Sequence, residues 1–282
     1  MRPRTFQLMD GYETLVQQAL RGRWVSSRQG GVTEIEDVLI TVNAPPALVG
    51  FPGYRHPLAL TETAQIISGE YNLEQLEKFA PSFSSYSDGW GAYSRRLPRQ
   101  IPALIEELRL NPNSRRAVLA PWNPDDDLLH MSGKTAQDQA MDHPCTLSLG
   151  FRARDGRLNM SVTMRSNDLW LGLPTDFTMF SILQATIAGI LGLEVGSYLH
   201  YSHSVHIYDR NRQKIIDWLE SFVNPWDITL SVPTAAFGHG TWESAQEEAR
   251  AALAGGPVVT SSASDLASEV LLYHSAQEGV PR

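Results

Sequence analysis

The chain has 282 residues and a mass of 31.3 kDa, with 42% hydrophobic residues, enough to bury a large core. A formal charge of −8 and a pI near 5.5 argue against a general nucleic-acid surface, while leaving room for local arginine clusters that hold a small anion. One cysteine cannot make an internal disulfide, no apolar run reaches the ~18 residues of a membrane span and no N-terminal signal pattern is visible, so a cytoplasmic protein of one domain over residues 1–282 is expected.

From the N-terminus, Leu8, Tyr12, Leu15 and Leu20 recur near helical spacing and Gly22 is a stop signal, which predicts a helix over residues 5–21. Residues 27–30, Ser-Arg-Gln-Gly, read as a loop before the alternating strand VTEIEDVLITV that begins at Val32. Residues 57–69 form a short helix in which Glu62 stands among neutral, largely apolar neighbours, ended by Gly69. Residues 79–98, rich in Ser, Gly and Pro, read as loop. An amphipathic helix over 101–110 closes at Asn111-Pro112, and Arg115 and Arg116 then open a short apolar strand, 117–120. Neighbours on a strand point to opposite faces, so these two arginines cannot both serve one pocket as simple strand residues. The polar stretch 125–139 reads as loop.

The stretch from His143 to Tyr208 concentrates the chemistry. Leu147, Leu149 and Phe151 alternate with polar neighbours up to Asp155-Gly156, and a second alternating run covers 158–164, so Cys145 opens one strand of a hairpin and Arg165-Ser166 ends the other. A lone cysteine is more often a small buried hydrophobe; nearby positive charge would make it reactive, and Arg165 can supply that charge while also binding phosphate. Leu-Gly-Leu-Pro at 171–174 precedes a long apolar helix over 177–191, for which Asp176 is a natural N-cap. Residues 198–208 read as a strand, on which His200, His203 and His206 fall on alternating faces and cannot converge on one ion, so no metal is expected. His206 and Tyr208 share a face. The tail reads as a helix over 210–222, a strand over 227–232, helices over 242–254 and 266–274, and a loop over 254–264.

PC at Cys145, RSxD from Arg165 to Asp168, LGLP from Leu171 to Pro174, GLEVG from Gly192 to Gly196 and HIY from His206 to Tyr208 occur in the order and spacing of the thymidylate synthase family, which includes the pyrimidine nucleotide hydroxymethylases. The chain resembles that family over residues 5–224 and diverges from about residue 225. The resemblance implies an α+β fold with a large mixed β-sheet flanked by helices, the sheets packed back to back in a homodimer. It implies that Cys145 adds to C6 of a pyrimidine nucleotide, so that C5 attacks a one-carbon unit supplied by 5,10-methylenetetrahydrofolate as co-substrate. Glu62 would order water and move protons around the ring, and Tyr93 would sit near the C5 proton. Arg28 and Arg165 would meet the phosphate, with Ser166 on the nucleotide and with Arg115 and Arg116 reaching across from the partner subunit. His206 and Tyr208 would grip a sugar hydroxyl, and Asp168 would hold the pterin ring.

The departures from the family are as informative. Asp176 stands two positions after Pro174, where uracil-using members have Asn. A protonated carboxyl, or a carboxylate facing N3-protonated cytosine, complements cytosine, and a mismatched buried polar pair can reject the wrong base by ~10^4-fold. Ser84, Ser85 and Tyr86 occupy the approximate place of the family's tryptophans, the familiar closing tail is missing, and Ser202-His203-Ser204-Val205 replaces Gly-Gly-Asp-x before His206. With bulky walls gone, water rather than hydride is expected to add to the C5 methylene. The expectation is 5-hydroxymethylation of CMP or dCMP, with no nucleic-acid polymer or membrane as partner. Reductive methylation and a catalytically silent nucleotide-binding homologue stand as the alternatives.

Overall fold

A computed structural model of the chain describes residues 4–42, 47–48, 56–134, 142–221, 230–231 and 240–254. The fold is mixed α+β, as expected, with an eight-stranded sheet flanked by helices. β1 (Arg4–Gln7) runs into α1 (Leu8–Leu20), and β2 (Arg23–Ser27) turns back into β3 (Gly30–Val42). The expected helix over 5–21 therefore starts late. Arg4–Gln7 is extended because it pairs in parallel with β3, Arg4 opposite Val38 and Gln7 opposite Thr41, a contact that local periodicity does not encode. Residues 27–30 likewise form a hairpin turn rather than a free loop, with Ser27 paired to Gly30.

β4 (Ala47–Leu48) is followed by α2 (His56–Ser68), which ends at Gly69, whose φ of 79° lies in the left-handed region that stops helices. After α3 (Leu73–Glu77), the segment expected as loop holds a 3-10 turn at Phe83–Ser85 and α4 (Tyr93–Arg96). α5 (Ile101–Leu110) buries Ile101, Leu104, Ile105 and Leu108, the single stripe its helical period dictates. β5 (Val118–Leu119) and α6 (Leu128–Met131) come next. Arg115 and Arg116 thus precede the strand, and the alternation argument does not govern them.

The remaining elements are β6 (Thr146–Arg154), β7 (Arg157–Met164), β8 (Asn167–Asp168), α7 (Gly172–Leu191), β9 (Glu194–Tyr208), α8 (Asp209–Glu220), β10 (Leu230–Ser231) and α9 (Trp242–Leu253). The strand expected over 227–232 is described only at Leu230–Ser231, and the helix expected over 266–274 lies outside the described residues. Strand order is β1-β3-β9-β7-β6-β5, with β2 paired to β3 and β8 to β9. β9 is the hub, antiparallel to β3 and parallel to both β7 and β8. α7 buries almost its whole surface, including Gln184, whose amide donates to the carbonyls of Leu158 at 2.8 Å and Ser197 at 3.2 Å. Those bonds satisfy backbone oxygens where the β7–β9 register shifts, between Leu158 and Met160. Because β7 and β8 run parallel to β9 and feed α7, the Cys145 segment, the RSND turn and the first turns of α7 converge at one end of the sheet.

Candidate active site

A cavity of about 1370 Å³ opens at this convergence. Pockets for a single drug-sized ligand run to roughly 1,000 Å³, so there is room for a nucleotide and a second molecule beside it. Cys145, Glu62, Tyr93, Arg28, Arg165, Ser166, Asp168, Asp176, His206 and Tyr208 all line it. Arg115 and Arg116 do not. Both are exposed outside the cavity, and Arg116 is held by Glu107 of the same chain at 3.0 Å.

Cys145 is half-buried, immediately before β6. Arg165 braces its approach: Nε donates to the Pro144 carbonyl and Nη2 to the His143 carbonyl, both at 3.0 Å, while its backbone N–H donates to the Cys145 carbonyl at 2.8 Å. Gly91 packs so closely that a Cβ there would lie 2.9 Å from backbone atoms of His143 and Pro144. Its N–H donates to Asp142 Oδ1 at 3.2 Å, and Ser87 donates to the other oxygen of that carboxyl. Directly after Cys145 the ladder bulges: Thr146 pairs with Met164 and Ser148 with Thr163, leaving Leu147 unopposed. The bulge shifts the alternation read from the sequence, so that Thr146 is buried, and its hydroxyl lies 2.8 Å from the Tyr93 hydroxyl.

Burial pushes the Cys145 thiol above its ordinary value; Arg165 pulls it down, and Asp176, Asp142 and Asp168 push it up again. Arg165 thus lowers the thiol as expected, but desolvation outweighs the guanidinium and the net shift is upward. Burial, reinforced by Asp176, raises Glu62 to about 8. Asp176 is also raised to about 8, by burial first, against the lowering effect of its bond from Asn167 and with Asp168 adding. Asp176 is not a cap. α7 begins at Gly172 with Leu171 as N-cap, because Pro174 fits the first turn, where a missing N–H costs nothing. Asp168, raised to about 6 by burial, accepts the Trp170 N–H at 3.0 Å and so shapes the turn into α7.

These acids carry a stability signature. Asp176 holds its proton to about pH 8 when folded, whereas it ionises near its ordinary 3.8 when unfolded, so the folded state binds more protons in between. Its effect on stability is neutral below about pH 4 and grows steadily destabilising as pH rises toward 8. The melting-temperature advantage of Asp176→Asn over the native protein should therefore widen by several degrees between about pH 5 and about pH 8.5. A constant difference would show that burial does not act on this carboxyl.

Beside Arg165, Ser166 Oγ lies 3.4 Å from His206 Nδ1, and the rings of His206 and Tyr208 meet edge to face at 4.9 Å. Burial pushes His206 down to about 4, leaving it neutral. Arg210 was not anticipated from the sequence. It sits 3.8 Å over the Tyr208 ring and donates to the Gln29 carbonyl at 3.0 Å, which ties the Arg28 turn to the end of β9. His200 is buried, bonded to Tyr198 and Asn167, while His203 is exposed. No group of three His, Cys, Asp or Glu is placed to hold a metal among the described residues. The wall expected to be serine-rich is mixed: Ser82 and Ser87 line the cavity together with Phe83 and Tyr86, whereas Ser84 and Ser85 do not. No described helix is long and apolar enough to cross a membrane.

The thymidylate synthase family profile matches residues 59–230. The chain is 33% identical over 241 residues to a deoxyuridylate hydroxymethyltransferase of Pseudomonas phage M6, an alignment covering 80% of this chain. It is 34% identical over 139 residues to a thymidylate synthase of Symbiobacterium thermophilum, covering 46% of this chain. The chain spans 66% of the length of the phage relative and 46% of the bacterial one.

Proposed function

The chain belongs to the thymidylate synthase family, and from that premise we propose that it hydroxymethylates C5 of a cytosine nucleotide, CMP or dCMP, with methylenetetrahydrofolate as co-substrate. The observation that carries the cytosine reading is Asp176, a buried carboxyl that holds a proton to about pH 8 in the wall of the cavity. A protonated carboxyl donates to the accepting N3 of cytosine and accepts from its N4 amino group. The cavity's size supports a second ligand beside the nucleotide, and Asp168 is the residue we assign to the pterin ring.

Cys145 adds to C6, and C5 then takes the one-carbon unit. The C5 proton leaves, with Tyr93 beside it. Once the carrier has gone, water adds to the exocyclic methylene, the C6–S bond breaks and the hydroxymethyl nucleotide is released. Glu62, protonated to about pH 8 by burial, is the group we assign to ordering that water and relaying protons. Ser82 and Ser87 give the water polar partners, and the phage relative is by name a hydroxymethyltransferase. We further propose a cytoplasmic homodimer with back-to-back sheets in which Arg115, exposed and outside its own cavity, reaches the partner's phosphate. Arg116 would follow after exchanging its Glu107 contact.

A second reading has a specific observation behind it: the phage relative's named substrate is deoxyuridylate, which favours a uracil nucleotide. Incubation with CMP, dCMP and dUMP in turn, with product analysis and absorbance at the dihydrofolate band, separates the readings. The expected result is a 5-hydroxymethylcytosine nucleotide and no dihydrofolate. Turnover of dUMP in preference would replace cytosine by uracil, and stoichiometric dihydrofolate with a 5-methyl product would replace hydroxymethylation by reductive methylation.

A further inference from the structure

Behind Asp176 runs a buried chain of polar groups that the proposed chemistry does not use. Asn167 Nδ2 donates to Asp176 Oδ2 at 2.6 Å, His200 Nε2 lies 3.2 Å from Asn167 Oδ1, and the Tyr198 hydroxyl lies 3.0 Å from His200 Nδ1. Tyr198 and His200 are fully buried, with the Phe177 ring stacked on His200 at 5.0 Å and tilted against Tyr198 at 4.9 Å. We propose that this chain is a specificity device, in which Tyr198, His200 and Asn167 act as positioning residues that decide which oxygen of Asp176 presents a proton to the base. The proposal rests on the cytosine reading above and deepens it.

The direction of the chain follows from counting donors. His200 is neutral, since burial lowers it to about 3, so one ring nitrogen donates and the other accepts. Among the described residues, the Tyr198 hydroxyl has His200 as its partner. If it accepted from Nδ1, its own proton would be left unpaired in an apolar setting, so it donates. Nε2 must then carry the ring proton and donate to Asn167 Oδ1. This holds the Asn167 amide with its NH2 toward Asp176, whose Oδ2 therefore accepts. The proton of Asp176 is left to Oδ1, which presents an O–H to the accepting N3 of cytosine. Were the chain reversed, Asn167 would turn over, Oδ2 would carry the proton, and an accepting oxygen would face the base, suited to the N3–H of uracil.

The ring-nitrogen chemical shifts of His200 in the histidine-labelled native protein test the direction without any variant. Protonation at Nε2 is expected, and protonation at Nδ1 overturns the proposal. The second test is the ratio of kcat/KM for CMP to that for UMP. His200→Leu frees the Asn167 amide and should lower the ratio roughly tenfold, the scale of one orphaned buried polar group. His200→Gln, which keeps a donor at the Nε2 position, should restore it to within about threefold. Tyr198→Phe, the mildest change to the fold, should lower the ratio less than His200→Leu. A purely structural role would depress both substrates together, and an unchanged ratio in His200→Leu and Tyr198→Phe overturns the proposal while leaving the cytosine reading intact. A native protein that prefers UMP overturns that reading instead, whatever the variants do.

Discussion

Cys145→Ser should lower kcat by about 10^4-fold or more while leaving the melting temperature within a few degrees, because it removes the bonding atom and little volume. The size of the loss follows from how much the site invests in this one sulfur. Arg165 spends two side-chain hydrogen bonds on the carbonyls of His143 and Pro144, Gly91 leaves out a side chain so that the backbone can close in, and the bulge at Leu147 sets the strand's phase just beyond. Burial raises the thiol above its ordinary value, and three carboxylates would oppose the thiolate if all were charged. Asp176 holds its proton to about pH 8, so near neutrality its share of that opposition is absent and the pull of Arg165 counts for more. The measurement is single-turnover kinetics together with mass spectrometry after incubation with 5-fluoro-CMP or 5-fluoro-dCMP and the folate. A covalent adduct is expected for the native chain and none for the variant. Turnover of Cys145→Ser within tenfold of the native rate would sink covalent catalysis. A native chain that forms no adduct would point to a silent homologue.

The features legible in the sequence are those carried by neighbours along the chain. The hairpin around Asp155-Gly156, the buried stripe of α5 and the stop at Gly69 are local, because periodicity and a left-handed φ leave marks within a few residues. Ten of the candidate site residues meet in one cavity, but it is the resemblance to the family and not local pattern that singles them out, since Glu62 lies in mid-α2 and Arg28 in the β2–β3 turn. What escaped depends on distant partners. The residues of β1 carry no strand signal of their own and are extended only because β3 lies alongside. Asn167, Tyr198 and His200 look like ordinary positions in a motif and a strand, and their connection to Asp176 runs through a His200–Asn167 contact between residues 33 apart in the chain. Arg210, at the start of a polar helix, becomes a cavity residue only because the Gln29 turn folds over it. The misreading of Asp176 as a cap was an error of helix start. Pro174 looks like a boundary, yet it is tolerated inside the first turn.

Asp176→Asn should move the ratio of cytosine to uracil turnover toward uracil by ~10^2-fold, short of the ~10^4-fold that a fully mismatched buried pair can impose. The carboxyl O–H that the native residue presents to cytosine N3 is a stronger donor than an amide N–H, so the amide holds cytosine less well. An amide can instead turn to accept from the N3–H of uracil and donate to O4. Turning it, however, aims its NH2 group at the NH2 of Asn167, which donates at 2.6 Å in the native arrangement. Asn167 must then turn over as well, His200 must change tautomer, and the Tyr198 proton loses its partner. That opposition is why the single substitution falls short of a complete switch. Adding Tyr198→Phe removes the group that sets the direction, so the double variant should favour uracil more strongly than the product of the two single effects, a coupling read directly from a double-mutant cycle on the two kcat/KM ratios. If Asp176→Asn keeps the native cytosine preference, the assignment of Asp176 as the base reader fails. If it switches but the two substitutions are additive, Asp176 reads the base without the chain behind it.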